Sequence, residues 1–348
     1  MSAGPVRQRW SAVVAGVGGL CLSIPATAAS SLPPAMTLSS DSSSAPAGQV
    51  VEGRYTGPEG TRAWRLYVPG GAAPARARPL LVLLHGCLQD PADLARGTRM
   101  DAAAEAGGFL VLSPEQPASA NPRRCWNWFE AAHQGQGGEP ALLRALVADV
   151  VRQHGADPQR VHLAGISAGG AMATLLAVAY PELVASLTTM AGIPWKGATS
   201  LQQALPVMQR GAGAALPLGE ALLAAMGEGG RRFPVLVVHG DQDQVVAPVN
   251  GEETAQQFAA WHALRLARSG APPLAPLPEL TGEAGGRPWR ETRWVDGAGT
   301  PWVRLVRLAG TGHAWSGGSP DGSFTDAVGL SLTALVAAMV TGAPPSLP

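Results

Sequence analysis

The chain has 348 residues, enough to bury the core of one domain of about 250–300 residues. Its 25 basic and 25 acidic side chains balance and only 14% of the residues are charged, so the sequence has no basic excess and we expect no nucleic-acid partner. Lys196 is the sole lysine, which nearly excludes catalysis through a lysine Schiff base.

The N-terminal segment has the layout of a secretory signal peptide over residues 1–28. Arg7 and Arg9 precede an apolar stretch, Ser11 to Ile24, and Ala26-Thr27-Ala28 offers a small-x-small cleavage site. The apolar stretch is shorter than the roughly 20 residues that a transmembrane helix needs. We therefore expect a secreted or periplasmic protein without stable membrane insertion.

Serine, proline and alanine predominate over residues 29–50, which predicts a flexible lead-in. From residue 51 strand and helix patterns alternate. The patterns that predict strands are "AWRLYVP", "PLLVLLHG", "FLVLSPE", "RVHLAGIS", "FPVLVVHGD" and the pair within "TRWVDGAGTPWVRLVRLAG". Those that predict helices are Met100 to Ala106, "EPALLRALVADVVRQHG", "AGGAMATLLAVAY" and "FTDAVGLSLTALVAAMV".

This alternation predicts an α/β fold, with a mainly parallel central sheet covered by helices on both faces. We expect one domain over residues 51–348. Proline and glycine interrupt the rhythm at residues 195–232 and 251–290, where we expect loops or short helices.

Ser167 lies between a predicted strand and a predicted helix, in the frame Gly165-x-Ser167-x-Gly169. A serine on such a turn has the arrangement of a nucleophile elbow, in which small neighbours let the helix approach the strand closely. The N–H of Ala168, at the start of the helix, is then placed to stabilise developing negative charge. The alternative is a chance cluster in a chain rich in alanine and glycine.

A serine nucleophile needs a base and an acid that orients the base, in the order serine, acid, histidine for this type of turn. After Ser167, "VLVVHGDQDQVV" supplies Asp241 and Asp243, and "RLAGTGHAWSGG" supplies His313. All three follow predicted strands, at the edge where open α/β sheets build sites. We expect His313 to be the base. The residues favour Asp243 as the acid, while Asp241 stays open as the alternative.

Export would remove Cys21 and leave Cys87 and Cys125 in an oxidising compartment. We expect a disulfide between them, with two free buried thiols as the alternative. Closing a loop of this size stabilises by roughly 3–4 kcal/mol. The Cys87 N–H is the expected second donor of an oxyanion hole, beside that of Ala168, and the bridge would hold it in place. His85 and His239, at strand ends, are expected to position loops through local hydrogen bonds.

Six segments carry a further pattern: "LLHGCLQDPADLARGTRMDAAAE", "NPRRCWNWF", "GEPALL", "HLAGISAGGAMA", "HGDQDQVV" and "GHAWSGG". In this order, between Arg62 and Val340, they resemble the poly(3-hydroxybutyrate) depolymerase-type esterases, which are related to feruloyl and acetylxylan esterases. The resemblance implies an α/β-hydrolase serine esterase that needs no metal and no cofactor.

Under this resemblance, the family's nucleophile, acid and base match Ser167, Asp243 and His313. Its two cysteines match Cys87 and Cys125.

Trp126 and Trp315 flank the expected bridge and base, and we expect them to form apolar walls for an acyl chain. A position in the core is the alternative for any tryptophan, and Trp128 is the weaker candidate.

The resemblance implies an ester substrate, namely polymeric or oligomeric hydroxyalkanoate cleaved through an acyl-enzyme. Feruloyl or acetyl groups on plant polysaccharide are the first alternative, and a non-catalytic hydrolase-fold binding protein is the second. Extracellular polymer-degrading members usually carry a further substrate-binding domain, whereas this sequence ends soon after the last predicted helix. We therefore expect soluble oligomers to be cut well, amorphous polymer more slowly and crystalline polymer scarcely at all. Separately, we expect a monomer.

Overall fold

The computed structural model describes residues 47–71, 76–228 and 230–343. The elements up to residue 190 are β1 (Gln49–Gly57), β2 (Gly60–Val68), β3 (Arg78–Leu84), α1 (Pro91–Thr98), α2 (Met100–Gly107), β4 (Leu110–Pro114), α3 (Gly138–His154), β5 (Ala156–Ile166), α4 (Ala168–Ala179) and β6 (Val184–Met190). Those that follow are α5 (Leu201–Arg210), α6 (Gly219–Met226), β7 (Val235–Gly240), α7 (Val249–Arg268), β8 (Ala275–Pro276), β9 (Leu280–Ala284), β10 (Arg287–Val295), β11 (Pro301–Leu308), β12 (Trp315–Ser316), β13 (Thr325–Asp326) and α8 (Leu332–Thr341).

The expected signal peptide and most of the expected lead-in lie outside the described residues. The lead-in ends earlier than expected, because Gln49 and Val50 already pair with β2.

One large sheet organises the fold, with strand order β1-β2-β4-β3-β5-β6-β7-β11-β10-β8 and β9 paired to β10. The strands from β4 to β11 in this order are parallel to their neighbours. The strands at both flanks are antiparallel. This arrangement confirms the predicted α/β class with a mainly parallel central sheet.

The central strands are apolar on both faces because helices cover both sides of the sheet. In β3, Leu80, Val82 and Leu84 point into a core shared with α3, α4, α6 and α7. Leu81 and Leu83 point into a second core, shared with α2 and α8. The continuous apolar run of β3 is therefore the pattern of a strand between two helical layers.

Three predicted boundaries or assignments were wrong. The 20-residue helix α7 occupies a region where loops or short helices were expected, and it buries Phe258 and Trp261. Strand β6 was not predicted, because Ser186, Thr188 and Thr189 interrupt its apolar pattern although all three are buried. The last helix begins only at Leu332, since the residues before it form β13 and the loops around it.

Among the described residues, no helix combines the length and the hydropathy that crossing a bilayer would require.

Three of the buried histidines, His85, His162 and His262, have pKa values below the ordinary value. Burial lowers the pKa of His85 to about 4, that of His162 to about 4 and that of His262 to about 3. His85 is also fixed as a neutral ring, since its Nε2 lies 3.0 Å from the Gln116 N–H donor and its Nδ1 lies 2.8 Å from the Gly86 carbonyl oxygen. The folded chain thus keeps these rings uncharged in mildly acidic solution.

We predict that the free energy of unfolding falls as the pH is lowered from about 6.5 toward 4. In that pH window these histidines bind protons in the unfolded chain but not in the folded chain. Their contribution to the free energy of unfolding is therefore fully present above the pKa of an unfolded histidine and is lost as the pH falls below it. A shift of this size is worth roughly 3 kcal/mol for one histidine. Urea unfolding at several pH values measures the effect. His262→Gln should show a shallower slope than the parent, and a parent whose stability does not change across this window would contradict the assignment.

Candidate active site

Ser167 occupies the turn between β5 and α4 with strained backbone angles, φ +57° and ψ −124°. A positive φ is uncommon for a residue with a side chain, and strain of this kind is found preferentially at functional sites. The Ser167 N–H donates to the Met190 carbonyl oxygen at 2.8 Å, which ties the turn to β6. The turn has the backbone geometry expected of a nucleophile elbow.

Two glycines make this turn feasible. A Cβ on Gly165 would lie 2.4 Å from backbone atoms of Gly169, and one on Gly169 would lie 2.2 Å from the Leu84 carbonyl oxygen. The first turn of α4 therefore packs directly on β5 and β3, at a separation that no larger residue permits. This close approach is the physical reason for the small residues around Ser167.

His313 lies on the loop after β11, and its Nδ1 is 2.7 Å from Oδ2 of Asp243. The other carboxylate oxygen of Asp243 accepts the N–H groups of Val245 and Val246, each at 2.9 Å. Asp241 instead accepts the Gly310 N–H at 2.8 Å, and so serves the neighbouring turn. Of the two aspartates left open by the sequence, the structure places Asp243 against the histidine.

A second histidine contacts the same carboxylate. His239 Nε2 lies 3.4 Å from Asp243 Oδ2 and 2.9 Å from the Val246 carbonyl oxygen. Burial acts to raise the pKa of Asp243, but hydrogen bonds from His239, His313 and the Val246 N–H outweigh it and hold that pKa well below its ordinary value. Asp243 is therefore a carboxylate at any physiological pH.

Sequence reasoning assigned His239 only a local, loop-positioning hydrogen bond, and the bond to Val246 has that character. The contact with Asp243 was missed. The sequence pattern that could have predicted this contact is "HGDQD", in which His239 and Asp243 are four residues apart at the end of one strand. This spacing brings the two side chains to the same edge of the sheet.

Ser167 and His313 both line a cavity of about 530 Å³ at the carboxyl edge of the sheet. Its wall is mainly apolar and includes Trp128, Phe129, Ile166, Ile193, Met208 and Val246. Among the described residues, no hydrogen bond joins Ser167 Oγ to His313. Such bonds often form or tighten only when substrate is bound, so the missing hydrogen bond does not argue against a serine–histidine pair.

Cys87 and Ala168 also line the cavity. Neither backbone N–H donates to an acceptor within the described part of the chain, while the next N–H, that of Leu88, donates to the Arg123 carbonyl oxygen at 2.7 Å. Cys87 is joined to Cys125 by a disulfide, with the two Cα atoms 4.2 Å apart. Among the described residues the two expected oxyanion-hole donors are thus free, and the loop that carries Cys87 is held to residues 123–125 by a disulfide and a hydrogen bond.

The structure corrects the expectation for the two tryptophans. Trp126 is fully buried and its indole N–H donates to the His85 carbonyl oxygen at 3.1 Å. Trp315 is fully buried in the opposite core, with its indole N–H on Thr333 Oγ1 at 2.9 Å. Both indoles satisfy their polar atom inside the protein, so neither forms the cavity wall, which takes Trp128 instead.

Glu139, in the first turn of α3, holds the loop that presents Trp128. This buried carboxylate accepts the backbone N–H of Asn127 at 2.8 Å and its side-chain amide at 3.1 Å. It also accepts the side chains of Gln116 and Arg62. The segment "GEPALL", for which no separate role was predicted, therefore anchors one side of the cavity.

The family model described as Esterase PHB depolymerase matches residues 62–271. The chain is 34% identical over 251 residues to "Poly(3-hydroxyalkanoate) depolymerase C" of Paucimonas lemoignei, covering 71% of this chain and 57% of that protein. It is 31% identical over 204 residues to "Acetylxylan esterase A" of Emericella nidulans, covering 56% and 65%. It is 28% identical over 190 residues to "Feruloyl esterase B" of Thermothelomyces thermophilus, covering 52% and 64%. The chain thus spans less than two thirds of the length of each of these relatives.

Among solved structures, the acetyl xylan esterase from Aspergillus awamori superimposes with a TM-score of 0.60 at 22% identity, covering 76% of this chain and 94% of that one. This likeness shows a shared α/β-hydrolase fold. The family model, which matches residues 62–271 and so more than half of the chain, shows that the chain belongs to the PHB depolymerase family of esterases.

Proposed function

We propose that the chain is a serine carboxylesterase that hydrolyses hydroxyalkanoate ester bonds of the 3-hydroxybutyrate type. The observation that carries the proposal is the 2.7 Å hydrogen bond between Asp243 and His313, at the cavity into which the strained Ser167 turn opens. A histidine oriented by a carboxylate beside a serine is the arrangement that activates a hydroxyl for attack on an ester. Membership of the esterase family supports the same reaction.

In the first half of the reaction, His313 Nε2 takes the proton of Ser167 Oγ as the oxygen attacks the ester carbonyl carbon. The carbonyl oxygen becomes an oxyanion, which the N–H groups of Cys87 and Ala168 are placed to stabilise. His313 then gives the proton to the leaving alkoxide, and the alcohol departs from the acyl-enzyme.

Water repeats these steps in the second half and releases the acid. Asp243 remains ionised throughout, holds the Nδ1–H and stabilises the imidazolium that forms twice.

The lining of the cavity favours binding of an acyl chain of low polarity. Apart from His313, Arg123 is its single lining residue with an ionisable side chain among those described. Aliphatic hydroxyalkanoate units suit such a wall, and the relative named for poly(3-hydroxyalkanoate) supports this class. Feruloyl esters are the second candidate, because Trp128, Phe129 and Phe324 give the same wall an aromatic surface. A non-catalytic binding protein would not need all three of serine, acid and base.

We further propose that the enzyme acts in the periplasm or outside the cell. The predicted signal peptide supports this location, and so does the Cys87–Cys125 disulfide, since such bonds persist in oxidising compartments.

We predict that Ser167→Ala abolishes hydrolysis of p-nitrophenyl butyrate while the melting temperature stays close to that of the parent. Loss of the nucleophile leaves only binding and the oxyanion hole, so kcat should fall by several orders of magnitude. Steady-state kinetics and thermal unfolding on the same preparation measure both effects. Retention of about a tenth of the activity or more would refute the assignment.

The two aspartates give a matched comparison. Asp243→Asn should reduce kcat by about 10⁴-fold, because the amide no longer fixes the tautomer and charge of His313. Asp241→Asn keeps an oxygen that can accept the Gly310 N–H, so we expect a change below about tenfold. Kinetics with p-nitrophenyl butyrate decide the point, and the opposite order of the two losses would identify Asp241 as the acid.

The substrate class is tested by comparing kcat/KM for 3-hydroxybutyrate trimer, methyl ferulate and acetylated xylan at equal enzyme concentration. We predict the highest value for the trimer, because the cavity wall is mainly apolar and offers few polar groups to a sugar. A higher value for methyl ferulate would move the assignment to the second candidate.

A further inference from the structure

Besides Ser167 and His313, three described residues with a hydrophilic side chain line the active-site cavity: Gln89, Asn121 and Arg123. None of the lining residues that the structure describes is acidic. The imidazole of His313 already has a carboxylate partner. The guanidinium of Arg123 is therefore a cation for which the described lining of the cavity supplies no counter-charge.

The two amide side chains of the cavity are engaged by the protein itself. Gln89 accepts a backbone N–H at 2.9 Å and donates to the Ser323 carbonyl oxygen at 2.9 Å. Asn121 accepts the backbone N–H of Arg123 at 2.9 Å and donates to Asn127 Oδ1 at 2.8 Å. Both amides thus serve to fix the loops of the cavity, and neither is set aside for a ligand.

Arg123 combines a fixed backbone with a free side chain. Its N–H is bound to Asn121, and its carbonyl oxygen accepts the Leu88 N–H at 2.7 Å, next to the expected oxyanion-hole loop. Its side chain is exposed, and within the described residues the guanidinium has neither an ion pair nor a hydrogen bond. The next residue, Arg124, is instead paired with Asp90 at 3.4 Å. Of the two arginines in "NPRRCWNWF", one thus serves the fold and the other is available to a ligand.

The chemistry of the guanidinium selects a carboxylate as its ligand. A carboxylate offers two oxygens to the planar fork of donors, and such paired, charge-assisted hydrogen bonds are stronger than those between neutral groups. A pair that is fully exposed to water contributes little. The cavity wall includes Trp128 and Phe129, so a ligand at Arg123 has a partly apolar surrounding in which the attraction between the charges is stronger.

We infer that Arg123 binds the terminal carboxylate of short hydroxyalkanoate oligomers, and so makes soluble, anionic esters the preferred substrates. The inference rests on the proposed function for the ester that is cut. A linear oligomer carries a hydroxyl at one end and a carboxylate at the other, whereas the internal units of a polymer are neutral. When Ser167 attacks an ester bond of the oligomer, the fragment with the original carboxylate leaves as the alcohol. Arg123 therefore belongs to the side of the cavity that holds the leaving group.

The hydrolysis test compares kcat/KM for 3-hydroxybutyrate trimer with a free carboxylate and for its methyl ester, which has no charge. We expect the parent to favour the free acid by about fivefold. Arg123→Gln should bring this ratio close to one, and Arg123→Lys, which keeps the charge, should retain about half of it or more. The matched control is Arg210→Gln, which removes the same charge from an exposed residue of α5 that does not line the cavity, and it should leave the ratio unchanged.

The binding test uses the same substitutions in the Ser167→Ala chain, so that neither ligand is consumed. Calorimetric titration gives Kd for the trimer and for its methyl ester, and the ratio of the two should follow the ratio found in hydrolysis. The preference for the free acid should also shrink as sodium chloride is raised from about 0.05 to about 0.5 M, because salt screens a pair that is open to water. The melting temperature of each variant reports whether it is folded.

Three results would overturn the inference: a parent that cleaves acid and methyl ester equally well, an Arg123→Gln variant that keeps the parent's ratio, or the same fall in that ratio for Arg210→Gln. Each of them would leave the proposed esterase function intact. A preference for the free acid that depends on Arg123 in the binding test, without hydrolysis of either ester by the parent, would instead refute the proposed function and support the carboxylate site.

Discussion

The close approach of α4 to the sheet at Gly165 and Gly169 is the constraint on which the site depends. Because a Cβ at either position would overlap backbone, the helix can begin immediately after β5, and Ser167 is held at φ +57° in the turn between them. That turn fixes three things together: the exposure of the hydroxyl at the cavity, the free N–H of Ala168, and the direction of the helix N-terminus. A larger residue at Gly165 or Gly169 would shift all three.

The residues that we propose act with Ser167 lie on loops, and each loop is held by its own hydrogen bonds or disulfide. Asp243 is fixed by two backbone N–H groups and by His239, and it in turn orients His313. On the opposite side of the cavity, Glu139 and the disulfide hold the loop of Trp128 and the Cys87 N–H. The loops thus carry the side chains of the proposed chemistry and the apolar wall of the cavity, while the parallel sheet places the starting points of these loops at one edge.

The central strands and the three candidate site residues could be predicted from the sequence. Continuous apolar runs indicate strands buried on both faces, and Ser167, Asp243 and His313 each come after such a strand. The direction in which a side chain points from a loop could not be predicted from the sequence. Trp126 and Trp128 are two residues apart, yet one is bound to the His85 carbonyl in the core and the other lines the cavity. Strand β6 was missed because its buried hydroxyl groups resemble a surface pattern, and one of them, Ser186, is hydrogen-bonded to His162. Such tertiary partners are invisible to local periodicity.

The most direct test of the central claim is to identify the residue that a serine-directed sulfonyl fluoride modifies. Phenylmethylsulfonyl fluoride mimics acylation, so an activated Ser167 should acquire one sulfonyl group in parallel with the loss of esterase activity. Peptide mass spectrometry after incomplete inactivation should locate the added mass in the peptide that contains Ser167, in proportion to the activity lost, and His313→Ala should suppress the labelling. Modification of a different residue in proportion to inactivation, or full inactivation with Ser167 unmodified, would contradict the account.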